Sequence, residues 1–589
     1  MIVEENIFND IVELWRHLTL KRRNQFKLLL VLMIIAAFAE VVTIGAILPF
    51  LGVIATPETL FNHPYVQPIN NFLQIDSVDS LRVVISIAFI SIALIAGAIR
   101  ILLLFLSTKH LFAAGIDIST KIYRRTLYQP YSVHVQRNSS DVINIVLNKC
   151  SDVVFGIMMP IVTLITSIIL LIGIIGVLIL IDPLVMMVTF LTFGLIYTAI
   201  LRYTSHNVKL NSKLIAEEST KAIQCLQEGI GGIRDVLISN AQTHYFSIYN
   251  EAISKMRIAQ GNNSIIAATP RFIIETIGIV LIAALALYMI DRDGGVVTAI
   301  PILGALAIGA QRLLPALQQS YSAVTTIKGV EFALKDVLHL LNQPILEISQ
   351  SKKIPEMIFE KTISLEKVSF KYTPESKYSL SNIDLTINQG DCVGIIGTTG
   401  GGKSTLLDII MGLLSPTSGL IKIDGQLLDQ YNIDPWQGCI AHVPQTIYLP
   451  DATIEQTIAF ACKKDEIEYD RVIEAATIAQ IDQDIQNFPG QYQARVGENG
   501  VLLSGGQRQR LGIARALYRQ ASVIIFDEAT SALDAKTEQA VMSAINNLNE
   551  SKTIFMVAHR VSTLSSCDKI IKIENGAIHN IGTYDDLLK

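Results

Sequence analysis

The chain has 589 residues, half of them hydrophobic at 50%, which is too apolar a composition for an ordinary soluble enzyme. A mean hydropathy of +0.44 places a large part of it in lipid. The formal net charge of -5 gives no basic footprint of the kind that follows phosphates, so no nucleic acid is expected as a partner.

From the N-terminus, the first apolar run covers about 26–51, too long for a signal-peptide core and with no small-residue cleavage site behind it, so it reads as a retained first span. Further runs at about 83–106, 154–181, 183–204, 264–290 and 294–318 bring the expected number of transmembrane helices to six. Ile181-Asp182-Pro183 and the stretch 291–295 read as tight hairpins, whereas 107–153 and 205–263 are long and polar. Lys and Arg gather before the first span (Arg16, Lys21, Arg22, Arg23, Lys27) and in those two long stretches, which orients them toward the cytoplasm. The 52–81 link has neither and lies outside. Leu60, Tyr65, Ile69, Phe72 and Leu73 there offer an amphipathic external helix, and periodicity alone leaves a solvated loop equally open. Six cysteines, Cys150, Cys225, Cys392, Cys439, Cys462 and Cys567, lack zinc-type or paired spacing and read as free thiols.

Apolar character falls away near 325–360, and from Ile363 alternating strands and α/β units begin. The division expected is a transmembrane domain at 1–325, a linker at 326–360 and a nucleotide-binding domain at 361–589. After the strand Cys392–Ile396 comes Gly397-Thr398-Thr399-Gly400-Gly401-Gly402-Lys403-Ser404-Thr405, a phosphate loop in the strand-to-helix setting that it requires. The glycines let backbone N–H groups turn onto phosphate, the following helix adds its dipole, Lys403 reaches the β/γ oxygens and Ser404 offers a hydroxyl to Mg²⁺. Val523–Phe526 reads as a buried parallel strand that delivers Asp527 and Glu528 to the carboxyl edge of the sheet. Asp527 would hold Mg²⁺ through water, and Glu528 would polarise the attacking water as general base.

Leu503-Ser504-Gly505-Gly506-Gln507 stands just upstream of that strand, and with it the domain resembles the ATP-binding cassette family over its whole length. The resemblance implies an exporter-type membrane α-helical domain of six transmembrane helices fused to an α/β phosphate-loop ATPase domain, with ATP and Mg²⁺ as cofactors. It further implies that Tyr372 stacks on adenine and that Gln445 senses Mg²⁺ and the membrane domain. Asp534, in Ser531-Ala532-Leu533-Asp534, would lie between two ATP sites, and His559 would switch at the γ-phosphate. In the family ATP lies between the phosphate loop of one subunit and the LSGGQ of the other, so a chain with one of each implies a homodimer. Val496-Gly497-Glu498 resembles a segment of exporters. The cytoplasmic stretches 129–139 and 227–239 are each expected to hold a short helix docking on the ATPase domain near Gln445.

Charged side chains inside spans cost on the order of 2.5–3.5 kcal/mol at mid-bilayer and so call for a partner or a task. Here they are Glu40, Arg100, Arg271, Glu275 and Arg312. Counted from the outer helix ends, Arg100, Arg271 and Arg312 all lie roughly 27–30 Å down, one level near the cytoplasmic side. Each could snorkel to the inner headgroups, or the three could form a basic ring in a dimer and receive an anionic head such as pyrophosphate. The segments Ala39-Glu40, Ile47-Leu48-Pro49-Phe50, Arg100-Ile101-Leu102-Leu103, Pro270-Arg271-Phe272 and Gln311-Arg312-Leu313 resemble bacterial lipid-linked oligosaccharide flippases. That resemblance implies outward movement of a lipid-linked glycan across the bacterial cytoplasmic (inner) membrane, among membrane lipids and with the ATPase domain in the cytoplasm. A drug or peptide exporter of the same architecture is the alternative.

Overall fold

A computed structural model describes residues 7–55, 57–61, 66–68, 75, 77–181, 183–290, 295–343, 357–529, 533–546, 552–558 and 561–587. The chain divides into two compact units, the first Met1–Gln129 with Arg137–Ile345, the second Pro130–Gln136 with Leu346–Lys589.

The first unit is all helix. Leu20–Ile54, Val78–Leu127, Ser139–Gly176 and Gln242–Val280 are long and apolar enough to cross a membrane, among the described residues. Helices Pro183–Gly231 and Gly295–Gly329 stand where the fourth and sixth spans are expected, and the side chains over much of their apolar stretches lie outside the described set. So do residues 182 and 291–294 of the two hairpin links and most of the external segment, of which Pro57–Phe61 is helical.

The polar stretches between spans are not loops. Val78–Leu127 has 50 residues, about 75 Å at 1.5 Å per residue, more than twice the hydrocarbon thickness of about 30 Å. Outside the apolar runs these helices are held by charge pairs one turn apart, Lys213–Glu217 at 3.7 Å and Lys255–Glu251 at 2.5 Å. The rod from Ser139 to Ile181 contains two π-helical turns, Ile145–Lys149 and Val154–Met158. Part of the expected linker is also helix: Glu331–Asn342 buries Leu334, Val337, Leu338 and Leu341 against Leu14, Leu111, Ile118 and Ile122. Its Glu331 lies 3.2 Å from Lys335 and 3.9 Å from Lys209, and Asp336 pairs with Lys149 at 2.6 Å. An apolar face of six buried residues set among charges lowers local hydropathy without ending the helix.

The second unit carries two sheets. An antiparallel sheet has the order β2-β1-β4-β5, with β1 Thr362–Phe370, β2 Leu380–Asn388, β4 Ser418–Ile423 and β5 Gln426–Leu427. The other has the order β10-β9-β3-β8-β7-β6, with β3 Cys392–Gly397, β6 Ile440–Val443, β7 Val523–Asp527, β8 Thr553–Val557, β9 Lys569–Glu574 and β10 Ala577–Gly582. Strands β9, β3, β8, β7 and β6 run parallel, and β3, β7 and β8 show the near-continuous burial of strands covered on both faces. Of two hydrophobic clusters, one holds Leu406, Leu407, Ile409 and Ile410 from the helix after the phosphate loop, and the other holds Leu511, Ile513, Ala514 and Leu517 from the helix after LSGGQ.

Candidate functional site

Strand order brings the expected chemistry to one edge. β8 lies between β3 and β7, and Val557 is level with both Ile395 and Asp527, so the phosphate loop and the two carboxylates leave the carboxyl ends of nearby parallel strands. His559 follows two residues after β8 and lies outside the described residues, as do Ser531 and Ala532.

The loop's close packing explains its glycines at two points. A Cβ on Gly397 would run into the Ile573 carbonyl oxygen of β9. Gly402 caps the helix Lys403–Ile410 at φ 105°, where a Cβ would stand 2.8 Å from the Ser379 carbonyl oxygen. Thr398, Thr399 and Gly400 form the exposed crest, while Gly401 is buried and donates its N–H to the Thr398 carbonyl at 2.9 Å. Lys403 Nζ donates to the carbonyls of Gly397 and Thr398, each at 3.0 Å, which holds its ammonium over the loop. Thr405 Oγ1 and the Tyr372 hydroxyl lie 3.2 Å apart, so the aromatic proposed for adenine is tied to the phosphate-loop helix.

At the ends of β7 and β6 the side chains converge. Gln445 Nε2 donates to Glu528 Oε2 at 2.5 Å, joining the two residues read as sensor and base. Glu528 sits at φ 54°, in the left-handed region that costs a non-glycine residue about 1–3 kcal/mol, and its N–H donates to the Val557 carbonyl at 3.1 Å. Burial and then the Glu528 charge push the Asp527 carboxyl above the ordinary range, opposed by the Lys403 ammonium and by a hydrogen bond with Ser404. The Ser404 hydroxyl, the Asp527 carboxylate and the Gln445 amide oxygen are hard oxygen donors of the type Mg²⁺ takes alongside waters and phosphate. These residues fit that ion. Asp408, which the sequence reading passed over, is pushed up to about 6 by burial first and by the Asp527 charge second.

The signature segment forms an exposed helix N-terminus. Ser504 caps Gly505–Tyr518, accepting from Gln507 N–H at 3.2 Å, while Gln507 Oε1 accepts from the Ser504 N–H at 3.0 Å. Gln507 Nε2 also donates to Asp484 at 3.2 Å, and Ser504 and Gly505 face outward with Gly506 half-buried behind them. Such a terminus attracts phosphate. Asp534 accepts from the N–H groups of Lys536 and Thr537 at 3.1 and 3.0 Å, so within this subunit it caps the helix Ala535–Asn546, and the Thr537 contacts hold its carboxyl below the usual range.

A short helix, Tyr131–Val135, is present where the stretch 129–139 anticipates one, and it belongs to the second unit. Its neighbour Gln136 donates to the Tyr372 carbonyl at 2.9 Å, and burial and the Asp408 charge raise the Tyr131 phenol. It therefore docks at Tyr372 and the phosphate-loop helix, where the sequence reading expects Gln445. The other short helix, Ile233–Ile238, belongs to the first unit.

Two of the three arginines are ion-paired: Arg100 Nε lies 3.3 Å from Glu40 Oε2, and Arg271 Nε lies 2.9 Å from Glu275 Oε1. At Arg100 and Arg271 the expected basic ring is thus two arginine–carboxylate pairs, one across two helices and one along a single helix. A cavity of about 260 Å³ holds Glu40 and Arg100, and another of about 340 Å³ holds Arg271 and Glu275; Pro315 and Gln319 line both. The side chain of Arg312, on that same helix, lies outside the described set.

Gln445→Ala removes the hydrogen bond to the Glu528 carboxylate. Turnover and transport are expected to fall by about 10- to 100-fold, the value of a bond to a charged group at about 1.5–3 kcal/mol. ATP affinity is expected to change far less. Equal losses in a nucleotide-binding titration and a turnover assay would assign Gln445 to holding nucleotide instead.

Residues 380–531 match the family described as "ABC transporter", and residues 26–294 match "ABC transporter transmembrane region". Among curated relatives, an ATP-dependent lipid A-core flippase of Chromohalobacter salexigens is 30% identical over 66% of this chain and 66% of its own length. One of Shewanella oneidensis is 28% identical over 80% of this chain and 78% of its own. A Bacillus subtilis protein named for multidrug export is 31% identical over 61% of each chain. The aligned stretches thus span about six to seven tenths of the Bacillus and Chromohalobacter relatives. Among solved structures, a bacterial Atm1-family ABC exporter with ATP bound superposes with a TM-score of 0.75 over 92% of this chain and 95% of that one, at 22% identity.

Proposed function

Because this chain belongs to the ABC transporter family, a multi-pass membrane protein with its transmembrane region and ATPase domain in one polypeptide, we propose that it is an ATP-driven exporter that flips a lipid-linked oligosaccharide or related glycolipid outward across the bacterial cytoplasmic membrane. The observation that carries the substrate class is the pair of arginine–carboxylate sites, Arg100 with Glu40 and Arg271 with Glu275, beside one shared stretch of the helix Gly295–Gly329. Ion pairs at that depth are costly, and a guanidinium that can exchange a carboxylate for a diphosphate offers the bidentate geometry such a head needs.

ATP and Mg²⁺ are assigned to Tyr372, the loop 397–405, Gln445, Asp527, Glu528 and His559, with Ser504, Gly505, Gly506, Gln507 and Asp534 contributed across a homodimer. Two features support the second copy. LSGGQ and the phosphate loop build on different clusters of the same unit. The helix Ile233–Ile238 leaves Ile233, Leu237 and Ile238 exposed, an apolar face suited to a partner's ATPase domain.

Changing Arg100, Arg271 or Arg312 to Ala is expected to reduce flipping of a pyrophosphate-linked glycan by about tenfold or more, one charge-assisted contact at about 1.5–3 kcal/mol. Lys should rescue in part, because an ammonium lacks the planar fork. Full rescue by Lys with little loss in Ala, at equal membrane insertion, would mean that the arginines snorkel. The name of the Bacillus relative favours the second reading, a drug or peptide exporter, and that result would move it to first place.

A further inference from the structure

Two helices that contain expected spans carry polar side chains in register, from within those spans out past their cytoplasmic ends. On Gly295–Gly329 the cavity-lining positions Gln311, Pro315, Gln318, Ser322, Thr325 and Gly329 repeat every three or four residues, a single helical face about 27 Å long. On Gln242–Ile290 the positions Gln260, Ser264, Ala268, Arg271 and Glu275 do the same. The two faces meet in a cavity of about 640 Å³, where the polar groups of Gln260, Asn263, Gln318, Ser322, Thr325 and Asp152 are interleaved with apolar side chains such as Ile215 and Val330. That volume lies in the range of about 300–1,000 Å³ typical of ligand clefts. Gln318 also lines the cavity of Arg271 and Glu275, so this chamber continues from the ion-pair level toward the cytoplasmic ends of the helices.

The lining chemistry is selective. Amides and hydroxyls each donate and accept, which matches the hydroxyls of a neutral sugar one for one. Among the described residues the only charged one in the lining is acidic, Asp152, which disfavours a phosphate there and accepts from hydroxyls. An apolar drug would leave these polar groups unpaired. Asn211 Nδ2 donates to Asn263 Oδ1 at 2.8 Å and so fixes which way that amide presents its N–H groups.

We propose that this chamber is a glycan subsite, in which the amides and hydroxyls of Gln260, Asn263, Gln318, Ser322 and Thr325 bind neutral sugar residues while the diphosphate of the same lipid engages the arginine level beside it. The proposal rests on the reading of the substrate as a lipid-linked glycan and adds the residues that choose the sugar.

The test uses the full chain in proteoliposomes with two probes, a polyprenyl pyrophosphate bearing a neutral oligosaccharide and the same carrier without sugar. Gln260→Leu and Ser322→Ala, at positions that line this chamber and not the cavity of Arg271, should each raise the half-saturating concentration of the glycosylated lipid about tenfold, the equivalent of about 1.4 kcal/mol, and leave that of the bare carrier unchanged. Gln260→Asn, which keeps the amide, should recover part of the loss, a rescue that a merely destabilised fold would not show. Equal shifts for both probes, or none, with a responsive wild type would overturn the glycan subsite and leave the transport reading standing. A wild type that responds to neither probe would overturn the transport reading and the subsite with it.

Discussion

Replacing Glu528 by Gln is expected to lower steady-state ATP turnover by about 10²–10⁴-fold, the loss of a general base, while ATP binding persists. The carboxylate stands at the carboxyl end of β7 beside the buried Asp527, in a left-handed backbone conformation that aims it out of the strand, and Gln445 donates to it at 2.5 Å. An amide of the same shape preserves that placement and cannot take a proton from water. In the proposed site nucleotide is held instead by Lys403, by the backbone of the loop 397–405 and by Tyr372, none of which the substitution touches. The dimer should therefore accumulate with ATP bound, seen as slowed nucleotide release. Turnover within a few-fold of the unmodified chain would remove the role given to Glu528.

Trp436→Ala is expected to destabilise the ATPase unit by about 3–5 kcal/mol, the range for truncating a large buried aromatic. Trp436 is 0% exposed, packs edge-on against Phe359 at 5.7 Å between ring centres, and donates its indole N–H to the Ile410 carbonyl at 2.8 Å. Ile410 ends the helix that begins at Lys403, so the same change loosens the support of the phosphate loop. Chemical unfolding followed by far-ultraviolet circular dichroism should show the loss, and saturating ATP should restore part of it through preferential binding to the folded state. A change below about 1 kcal/mol would mean that the site collapses around the smaller side chain.

The ATPase unit was legible in the sequence to a degree the membrane unit was not, and the reason is physical. Lys403, Ser404, Asp527 and Glu528 derive their roles from short spacings at strand ends, so the linear pattern already implies the geometry. Gln445 beside Glu528 needed only the parallel order of β6 and β7. The pairing of Arg100 with Glu40 joins residues sixty positions apart on different helices, and its register is set by helix packing that hydropathy does not encode. The same holds for the facing polar ladders, whose period of three to four is visible in 311–329 but whose partner at 260–275 is not. Composition also misled at the helix Glu331–Asn342, where charges around a short apolar face resemble a linker. The docking of Tyr131–Val135 at Tyr372 could not be read at all, because the contact joins residues 136 and 372 through a backbone carbonyl.

The most direct test of the central claim is movement of a polyprenyl pyrophosphate oligosaccharide between leaflets of proteoliposomes containing the purified chain. ATP with Mg²⁺ should drive accumulation of the glycan on the far side, Glu528→Gln should abolish it, and the rate should track ATP turnover. A chain that hydrolyses ATP at a normal rate, leaves this lipid in place and instead moves a hydrophobic drug or a peptide would contradict the account.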